Sequence, residues 1–163
     1  MCGFVGIFTA DLAQESQLET VRRMGHLIAH RGPDSYRALR TNHLACAFYR
    51  LAVVDLDARS DQPFLDRDGR YTLLYNGEIY NTSELKLALL ESGAMLETTS
   101  DTEVVLEAYK LWGPDCVKRF EGMFAFTLYD AREHTLSLFR DQLGIKPLYF
   151  VREPHRILFA SEM

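Results

Sequence analysis

The order of the predicted elements assigns this chain of 163 residues to the α+β class. Strand patterns come first, helix patterns occupy the middle, and a meander of strand patterns ends the chain. Because doubly wound parallel sheets alternate strand and helix along the chain, this segregation favours antiparallel sheets with helices on their outer faces. The composition, 47% hydrophobic and 25% charged residues, is typical of a globular chain with its own core. We therefore predict a single domain over residues 1–163.

The first third of the chain shows strand patterns on either side of one helix pattern. Residues 2–9, CGFVGIFT, form a short apolar run typical of a strand. Residues 17–28 repeat apolar side chains at helical spacing, at Leu18, Val21, Met24 and Ile28. Gly32 and Pro33 break this pattern. Residues 44–55 are rich in aliphatic and aromatic side chains and predict one or two strands before a polar loop.

The middle of the chain predicts a strand and two helices. The stretch YTLLYN predicts a strand that the Asn76-Gly77 pair should end, because this dipeptide strongly favours tight turns. Residues 82–92 have the propensity of a helix. Ser100 and Glu103 have the spacing of a capping box, which predicts that a second helix begins there.

The last third of the chain predicts antiparallel strands joined by short turns. A short helical turn near residues 115–120 precedes two alternating segments, residues 123–130 and 135–141. Residues 146–151 and 156–161 flank a polar turn and predict a closing hairpin.

Charge and hydropathy exclude several classes of partner. The net charge of −5 is spread along the chain without a basic cluster, so nucleic acid is not an expected partner. An apolar stretch of the roughly 20 residues that cross a bilayer is missing, as is the pattern of a signal peptide. We expect a cytoplasmic protein that does not bind membranes.

The three cysteines have neither the number nor the spacing of a disulfide framework or a zinc site. Cys46 and Cys116 stand among apolar neighbours and are predicted to be inert thiols of the core. The histidines are dispersed, so we expect no bound metal.

Cys2 is the one nucleophile in an unusual position. Removal of Met1, which a small second residue permits, would leave a thiol and a free α-amine on the same residue. With an ordinary pKa of about 7.7–8.0, that amine is partly neutral near pH 7 and can act as a base for the thiol. The alternative is an ordinary buried thiol at the start of a strand.

Asn76 and Gly77 could supply donors to the oxyanion that such a nucleophile generates. Asn76 carries a side-chain NH₂, and Gly77 allows its backbone N–H to approach a ligand closely. The alternative interpretation is a tight turn and nothing more.

Seven motifs follow one another along nearly the whole chain: MCGFVGIF, HRGPDS, RLAVVDLDARSDQPF, YNGEIYN, TSDTEVVLEAY, RFEGMFAFTLYD and RDQLGIKPLYF. In this order they resemble the class II glutamine amidotransferase domains, which use an N-terminal nucleophile, and most of all the asparagine synthetase branch. The resemblance implies a four-layer αββα sandwich of two antiparallel sheets, the N-terminal-nucleophile hydrolase fold. It also implies a glutaminase that releases ammonia and glutamate through a γ-glutamyl thioester.

The resemblance implies a role for each matching residue. Cys2, freed of Met1, would attack the side-chain amide of glutamine with its own amine as general base. Asn76 and the N–H of Gly77 would form the oxyanion hole.

The resemblance also implies how glutamine itself would be held. Arg50 matches the arginine that binds the substrate α-carboxylate, a task suited to a planar bidentate donor. Asp101 matches the carboxylate that receives the α-ammonium, and Glu78 would assist it. The alternatives are a solvated surface arginine and an aspartate that complements a helix dipole.

Other positions in the motifs suggest structure or depart from the family. Arg31 and Asp34 are interpreted as structural residues of a loop that borders the site. The family pattern Gly-His-Arg-Arg-Leu is replaced here by residues 47–51, AFYRL, which retain Arg50. The replacement puts in doubt the packing of this strand and the affinity for substrate, but not the type of reaction.

Relatives in the asparagine synthetase branch continue into a domain that activates an acceptor carboxylate with ATP. This chain shows no SGGxDS-type nucleotide loop. We expect no cofactor for the glutaminase reaction, and ATP and magnesium only in a missing synthetase domain. The chain is interpreted as a fragment of a longer synthetase, with a free-standing glutaminase that serves a separate synthetase chain as the alternative.

Two other functions remain open from the sequence. The chain could be a catalytically silent regulatory or interaction module of a synthetase, although it retains Cys2, Asn76 and Gly77. It could also be an N-terminal-nucleophile hydrolase of another amide, although Arg50 and Asp101 favour an α-amino acid as substrate.

Overall fold

The computed structural model describes residues 1–53 and 57–163. The strands are β1 (Gly3–Thr9), β2 (Ser35–Arg40), β3 (Leu44–Arg50), β4 (Phe64–Leu65), β5 (Tyr71–Ile79), β6 (Gly122–Asp130), β7 (Thr135–Arg140), β8 (Tyr149–Arg152) and β9 (Arg156–Ala160). The α-helices are α1 (Glu15–Leu27), α2 (Thr82–Glu91) and α3 (Asp101–Trp112). Short 3-10 segments cover Ala29–Arg31, Ala58–Ser60 and Gly113–Arg119.

The strands form two sheets, and every pairing is antiparallel. One sheet has the order β2-β3-β1-β9-β8, and the other has the order β4-β5-β6-β7. β1 is therefore a central strand, paired with β3 on one side and β9 on the other. This arrangement fixes the start of the chain inside the larger sheet.

The core divides into layers because successive side chains of a strand point to opposite faces. One cluster joins the facing surfaces of the two sheets and includes Phe4, Leu44, Cys46, Phe48, Leu74, Tyr129 and Phe159. A second cluster packs the outer face of the larger sheet against α1 and includes Val5, Ile7, Val21, Ala45 and Ala47. A third packs the smaller sheet against α2 and α3 and includes Leu73, Leu85, Leu89, Val104 and Phe126. The predicted αββα sandwich is confirmed.

The prediction that a strand ends at Asn76-Gly77 is wrong. β5 continues through both residues to Ile79, in register with β6, and Gly77 lies opposite Phe124. A Cβ at Gly77 would lie 2.6 Å from the carbonyl oxygen of Met123, so the glycine allows two backbones to pair closely. The dipeptide's preference for a turn is overridden by this pairing.

Several boundaries differ from the predicted ones, each for a local reason. α1 begins at Glu15, two residues earlier, because Gln14 and Gln17 form a reciprocal capping box. The predicted hairpin at residues 146–151 pairs only from Tyr149, since the N–H of Lys146 is bonded to the carboxylate of Asp141. β2 and β4 were not predicted; β2 has mostly exposed or half-buried side chains and lacks an apolar run.

The capping box predicted for α3 forms only in part. The Ser100 hydroxyl accepts a hydrogen bond from the N–H of Thr102, as an N-cap should. The Glu103 carboxylate turns instead to the backbone N–H groups of Glu97 and Thr98. The predicted strand over residues 44–55 ends at Arg50, and residues 54 and 55 of that prediction lie outside the described residues.

No helix in the described part of the chain combines the length and the apolar character needed to cross a bilayer.

Candidate active site

A cavity of about 200 Å³ opens where the start of β1, the end of β3 and the second half of β5 come together. The six residues predicted for the site all line it: Cys2, Arg50, Asn76, Gly77, Glu78 and Asp101. They come from four separate parts of the chain, and the two-sheet topology brings them to one place. The first residue of α3, Asp101, closes one wall.

Cys2 lies immediately before β1 and is partly buried. The backbone N–H of Leu51 donates to its Sγ at 3.4 Å, and the Sγ also lies 3.5 Å from the Leu51 carbonyl oxygen. Burial raises the pKa of the thiol, while the Leu51 N–H and the nearby positive charges of the chain terminus and Arg50 act to lower it. The thiol is therefore mostly protonated near neutrality and needs a base before it can attack.

Asn76 lines the cavity and carries an unsatisfied donor. The residue is 3% exposed, and its Nδ2 is buried without a hydrogen-bond partner among residues 1–53 and 57–163. A buried amide without a partner costs free energy, so such groups are rare and call for an explanation. A ligand oxygen in the cavity would satisfy it.

The backbone N–H of Gly77 points away from β6. Phe124, its partner in the register, instead exchanges hydrogen bonds with Asp141 on the opposite side of β6. In an antiparallel ladder such a residue pair is not hydrogen bonded to each other, so the N–H of Gly77 faces the other edge of β5. The pairing of β4 reaches only Thr72 and Leu73, so β4 does not cover this edge at Gly77.

Gln62 covers the same edge of β5 at Tyr75, two residues before Gly77. It was not predicted as a site residue. Its Oε1 accepts from the N–H of Tyr75 at 2.6 Å, and its Nε2 donates to the Tyr75 carbonyl oxygen at 3.0 Å. The side-chain amide therefore replaces a paired strand and holds β5 directly before Asn76. Gln62 lies within the motif RLAVVDLDARSDQPF, but no local pattern indicates its pairing with Tyr75, 13 residues further along the chain.

Arg50 is 8% exposed, which rules out the solvated surface arginine. Its Nη1 donates to Asp61 Oδ1 at 2.6 Å and to the carbonyl oxygen of Asp57 at 3.1 Å. Asp61 in turn lies 3.5 Å from Arg37 and accepts a hydrogen bond from Ser35. This network orients the guanidinium toward the cavity that it lines.

Asp101 is also buried, at 9% exposed. Burial raises the pKa of its carboxyl, although the Tyr75 hydroxyl and nearby backbone N–H groups stabilise the charged form. A cationic group in the cavity would compensate this carboxylate. Glu78 lies beside it on β5 but is exposed, so its negative charge acts at the mouth of the cavity.

Lys146 is a further cation in the wall that sequence reasoning missed. It is 7% exposed, and its Nζ lies 3.3 Å from the Sδ of Met1. Asp141 holds the preceding loop by accepting the backbone N–H groups of Leu143, Ile145 and Lys146. The motif RDQLGIKPLYF contains both residues, and the spacing of Asp141 ahead of a glycine turn is the signal that could have identified the loop.

Arg31 and Asp34 lie where a structural role predicts them. Asp34 accepts a hydrogen bond of 2.8 Å from the N–H of Ala52, two residues after Arg50, and so holds the loop at the cavity's edge. Arg31 donates to the carbonyl oxygen of Cys2 at 3.0 Å.

The remaining cysteines are fully buried, Cys46 between the sheets and Cys116 beneath α3. Burial raises the pKa of Cys116 to about 12 and that of Cys46 further, which makes both thiols unreactive at neutral pH. Within residues 1–53 and 57–163, no group of three or more histidine, cysteine or acidic side chains is arranged to hold a metal ion.

Comparison with known proteins identifies the family of this chain. The family described as "Glutamine amidotransferase domain" matches residues 1–163. The glutamine-hydrolysing asparagine synthetase 1 of Bacillus subtilis is 40% identical over 99% of this chain, and asparagine synthetase B of Escherichia coli is 35% identical over all of it. The chain spans only 26% and 29% of the length of these two proteins.

Solved structures show the same fold. The glutamine phosphoribosylpyrophosphate amidotransferase of B. subtilis superposes with a TM-score of 0.74 at 19% identity, covering 98% of this chain and 42% of its own. The structure of the allosteric regulatory enzyme of purine biosynthesis gives a TM-score of 0.79 at 20% identity, with the same coverage. The sandwich, with a cysteine ahead of a central strand, is an N-terminal-nucleophile hydrolase fold. The chain belongs to the glutamine amidotransferase domain family.

Proposed function

We propose that this domain hydrolyses glutamine to glutamate and ammonia through a γ-glutamyl thioester on Cys2. The proposal rests on the buried Nδ2 of Asn76, a donor without a partner in the described part of the chain, because Asn76 lines the same cavity as the Cys2 thiol. A preorganised donor of this kind stabilises the oxyanion that forms when a thiolate attacks an amide.

Removal of Met1 starts the mechanism. While Met1 is attached, the nitrogen of Cys2 belongs to a peptide bond and cannot accept a proton. Once Met1 is removed, the α-amine, with an ordinary pKa of about 7.7–8.0, becomes the base on the same residue as the thiol.

The acylation step then balances within the site. The α-amine accepts the thiol proton, and the sulfur forms a bond to the side-chain carbonyl carbon of glutamine. The oxyanion lies between Nδ2 of Asn76 and the N–H of Gly77. The tetrahedral adduct expels its nitrogen, which takes the proton back from the α-ammonium and leaves as ammonia. Water attacks the thioester with the same amine as base, which releases glutamate and restores the thiol.

Two side chains of opposite charge that line the cavity select an α-amino acid as substrate. The guanidinium of Arg50 suits the α-carboxylate, since it is buried and held in one orientation by Asp61. The carboxylate of Asp101 suits the α-ammonium, with the exposed Glu78 assisting at the mouth. An isolated amide lacks both charges and would not be oriented.

We further propose that the ammonia serves an ATP-dependent, amide-forming synthetase domain of the asparagine synthetase type. The support is the similarity to such synthetases over nearly the whole of this chain. The chain itself spans about a quarter of the length of those synthetases. The acceptor, the ligase reaction, ATP and magnesium would belong to that domain or to a separate synthetase chain. A reducing compartment such as the cytoplasm suits a free catalytic thiol.

The test is glutamate release by purified protein whose N-terminal residue is established by intact mass. We expect turnover of glutamine by the Cys2-terminal form and none by Cys2→Ala, which removes a single sulfur from a partly exposed position. Nα-acetylglutamine and glutaminamide, which lack one charge each, should be poor substrates. No release by the correctly processed parent would support the silent module instead, and equal turnover of the modified amides would support a hydrolase of other amides.

A further inference from the structure

Arg31 lies against the backbone that carries the nucleophile. It ends the short 3-10 segment after α1, and its side chain is 7% exposed. Its Nε donates a hydrogen bond of 3.0 Å to the carbonyl oxygen of Cys2. The approach depends on Gly3, because a Cβ there would lie 2.8 Å from Cδ of Arg31.

Glu162 neutralises this buried guanidinium from the far end of the chain. Nη1 of Arg31 donates to Glu162 Oε1 at 2.7 Å, and within residues 1–53 and 57–163 this is the only ion pair that Arg31 makes. The hydrogen bond from Arg31 lowers the pKa of Glu162, so the carboxylate is ionised at neutral pH. His30 approaches the same oxygen, at 3.1 Å, from the exposed side.

Two neighbouring residues hold Cys2 by hydrogen bonds, and Cys2 also packs against the core between the sheets. β1 begins at Gly3, and the ladder contacts with the C-terminal segment start at Phe4, whose N–H and carbonyl group bond to the hydroxyl and the N–H of Ser161. Cys2 itself is held by Arg31 at its carbonyl group and by Leu51 at its thiol. A change in Arg31 would therefore be felt directly at the nucleophile.

We propose that Glu162 is a positioning residue for glutamine hydrolysis, acting through Arg31 on the backbone of Cys2. A buried guanidinium is tolerated only while its charge is compensated. Without the carboxylate, Arg31 moves toward water and releases the carbonyl group of Cys2, so the thiol loses its place beside Leu51 and in front of Asn76. Glu162 is not among the described residues that line the cavity. The proposal rests on the proposed hydrolysis for its kinetic readout.

The experiment compares Glu162→Ala and the uncharged, isosteric Glu162→Gln with the matched control Glu153→Gln. Glu153 makes a similar ion pair, 2.6 Å from Arg156, in the turn between β8 and β9. In the processed protein we expect Glu162→Ala to lower kcat about tenfold, with KM for glutamine changed less than about twofold and the control unchanged. The kcat of Glu162→Gln should lie between those of Glu162→Ala and Glu153→Gln.

Amide exchange measured by NMR gives a readout that needs no turnover. The N–H of Leu51 is protected by the thiol of Cys2, so its exchange should be about tenfold faster in Glu162→Ala, while that of Cys46 inside β3 stays unchanged. If Glu162→Ala does not fold, Glu162→Gln carries both measurements, and its Leu51 exchange must exceed that of the control.

The proposal fails if kcat or Leu51 exchange stays at the level of Glu153→Gln, or if the loss is in KM. It also fails if only amides of β9 such as Phe159 exchange faster, because Glu162 would then merely fasten the last strand. Faster Leu51 exchange in the variant, together with a parent that releases no glutamate, would overturn the proposed hydrolysis and leave the positioning pair standing.

Discussion

The hydroxyl of Tyr75 donates a hydrogen bond of 2.7 Å to Oδ2 of Asp101. This bond connects β5 to the first residue of α3, and the residue after Tyr75 is Asn76. The strand that presents the oxyanion donor and the helix that presents the carboxylate are therefore fixed to each other. Tyr75 is not a predicted site residue, but its hydrogen bond holds the oxyanion donor Asn76 and the substrate-binding carboxylate of Asp101 at a fixed distance from each other.

Asp101→Asn tests the charge of this carboxylate. Because burial raises the pKa of Asp101 above its ordinary 3.8, KM of the parent for glutamine should rise as the pH falls toward that raised value and the carboxylate protonates. The asparagine variant should have a KM at least about tenfold higher at neutral pH, without this acid-side increase. Steady-state glutaminase assays between pH 5 and 8 check it, and a variant that keeps the parent's pH dependence would contradict the assignment.

The same substitution should not weaken the fold. A raised folded pKa means that ionised Asp101 opposes folding above its folded pKa, and that this penalty disappears below the unfolded value of 3.8. Asp101→Asn should therefore melt at or above the parent's temperature at pH 7, and the advantage should vanish in acid. Thermal unfolding at both pH values separates lost binding from lost structure.

Asn76→Ala and Arg50→Ala should fail in different kinetic constants. Asn76 donates to a charge that develops in the transition state, so its loss should lower kcat about a hundredfold with KM little changed. Arg50 would bind the carboxylate equally before and during reaction, so its loss should mainly raise KM. Asn42→Ala, in an exposed turn, is the matched control and should resemble the parent. A raised KM in Asn76→Ala together with a lowered kcat in Arg50→Ala would refute this division of roles.

The sequence predicted the αββα layers of the fold and six of the residues that line the cavity, but it did not predict the contacts that hold those residues in place. Periodicity identified α1, the spacing of Ser100 and Glu103 identified the start of α3, and the motifs identified Cys2 and Asn76, because these signals are local. The sequence did not predict that β5 continues through Asn76 and Gly77. The turn preference of this dipeptide is a local signal, whereas the pairing of β5 with β6 spans more than forty residues of chain. Gln62 bonds to Tyr75 across 13 residues and Glu162 bonds to Arg31 across 131, and neither contact has a local sequence pattern, so only the fold reveals them.

Asp141→Asn should destabilise the loop that presents Lys146. The buried carboxylate accepts backbone N–H groups from Phe124, Leu143, Ile145 and Lys146. Burial acts to raise its pKa, but these bonds outweigh burial and hold the pKa below the ordinary 3.8. An asparagine NH₂ would face N–H groups, which should cost about 3 kcal/mol of unfolding free energy.

Chemical denaturation of Asp141→Asn against Asp115→Asn checks this expectation. Asp115 forms an exposed pair with Lys118, 2.7 Å apart, and its loss should cost less than about 1 kcal/mol. Because the folded pKa of Asp141 is lowered, its contribution is present above pH 3.8 and is lost as the pH falls through the folded value. The deficit of Asp141→Asn should shrink in strong acid, and a deficit equal to that of the control at pH 7 would contradict the role of the four bonds.

Retention of Met1 should give a folded protein without glutaminase activity. Met1 lines the cavity, its Sδ contacts Lys146, and its peptide bond occupies the nitrogen that would act as base. A form with a blocked N-terminus should show the parent's circular dichroism and melting temperature, because Met1 is 56% exposed and adds little to the core. Proteolytic exposure of Cys2 should restore turnover, whereas the same treatment of Cys2→Ser should restore little, since a hydroxyl is a far weaker nucleophile than a thiol. Intact mass follows the processing and glutamate release follows the activity. Equal turnover before and after exposure would exclude the α-amine as the base, because only the free terminus can supply it.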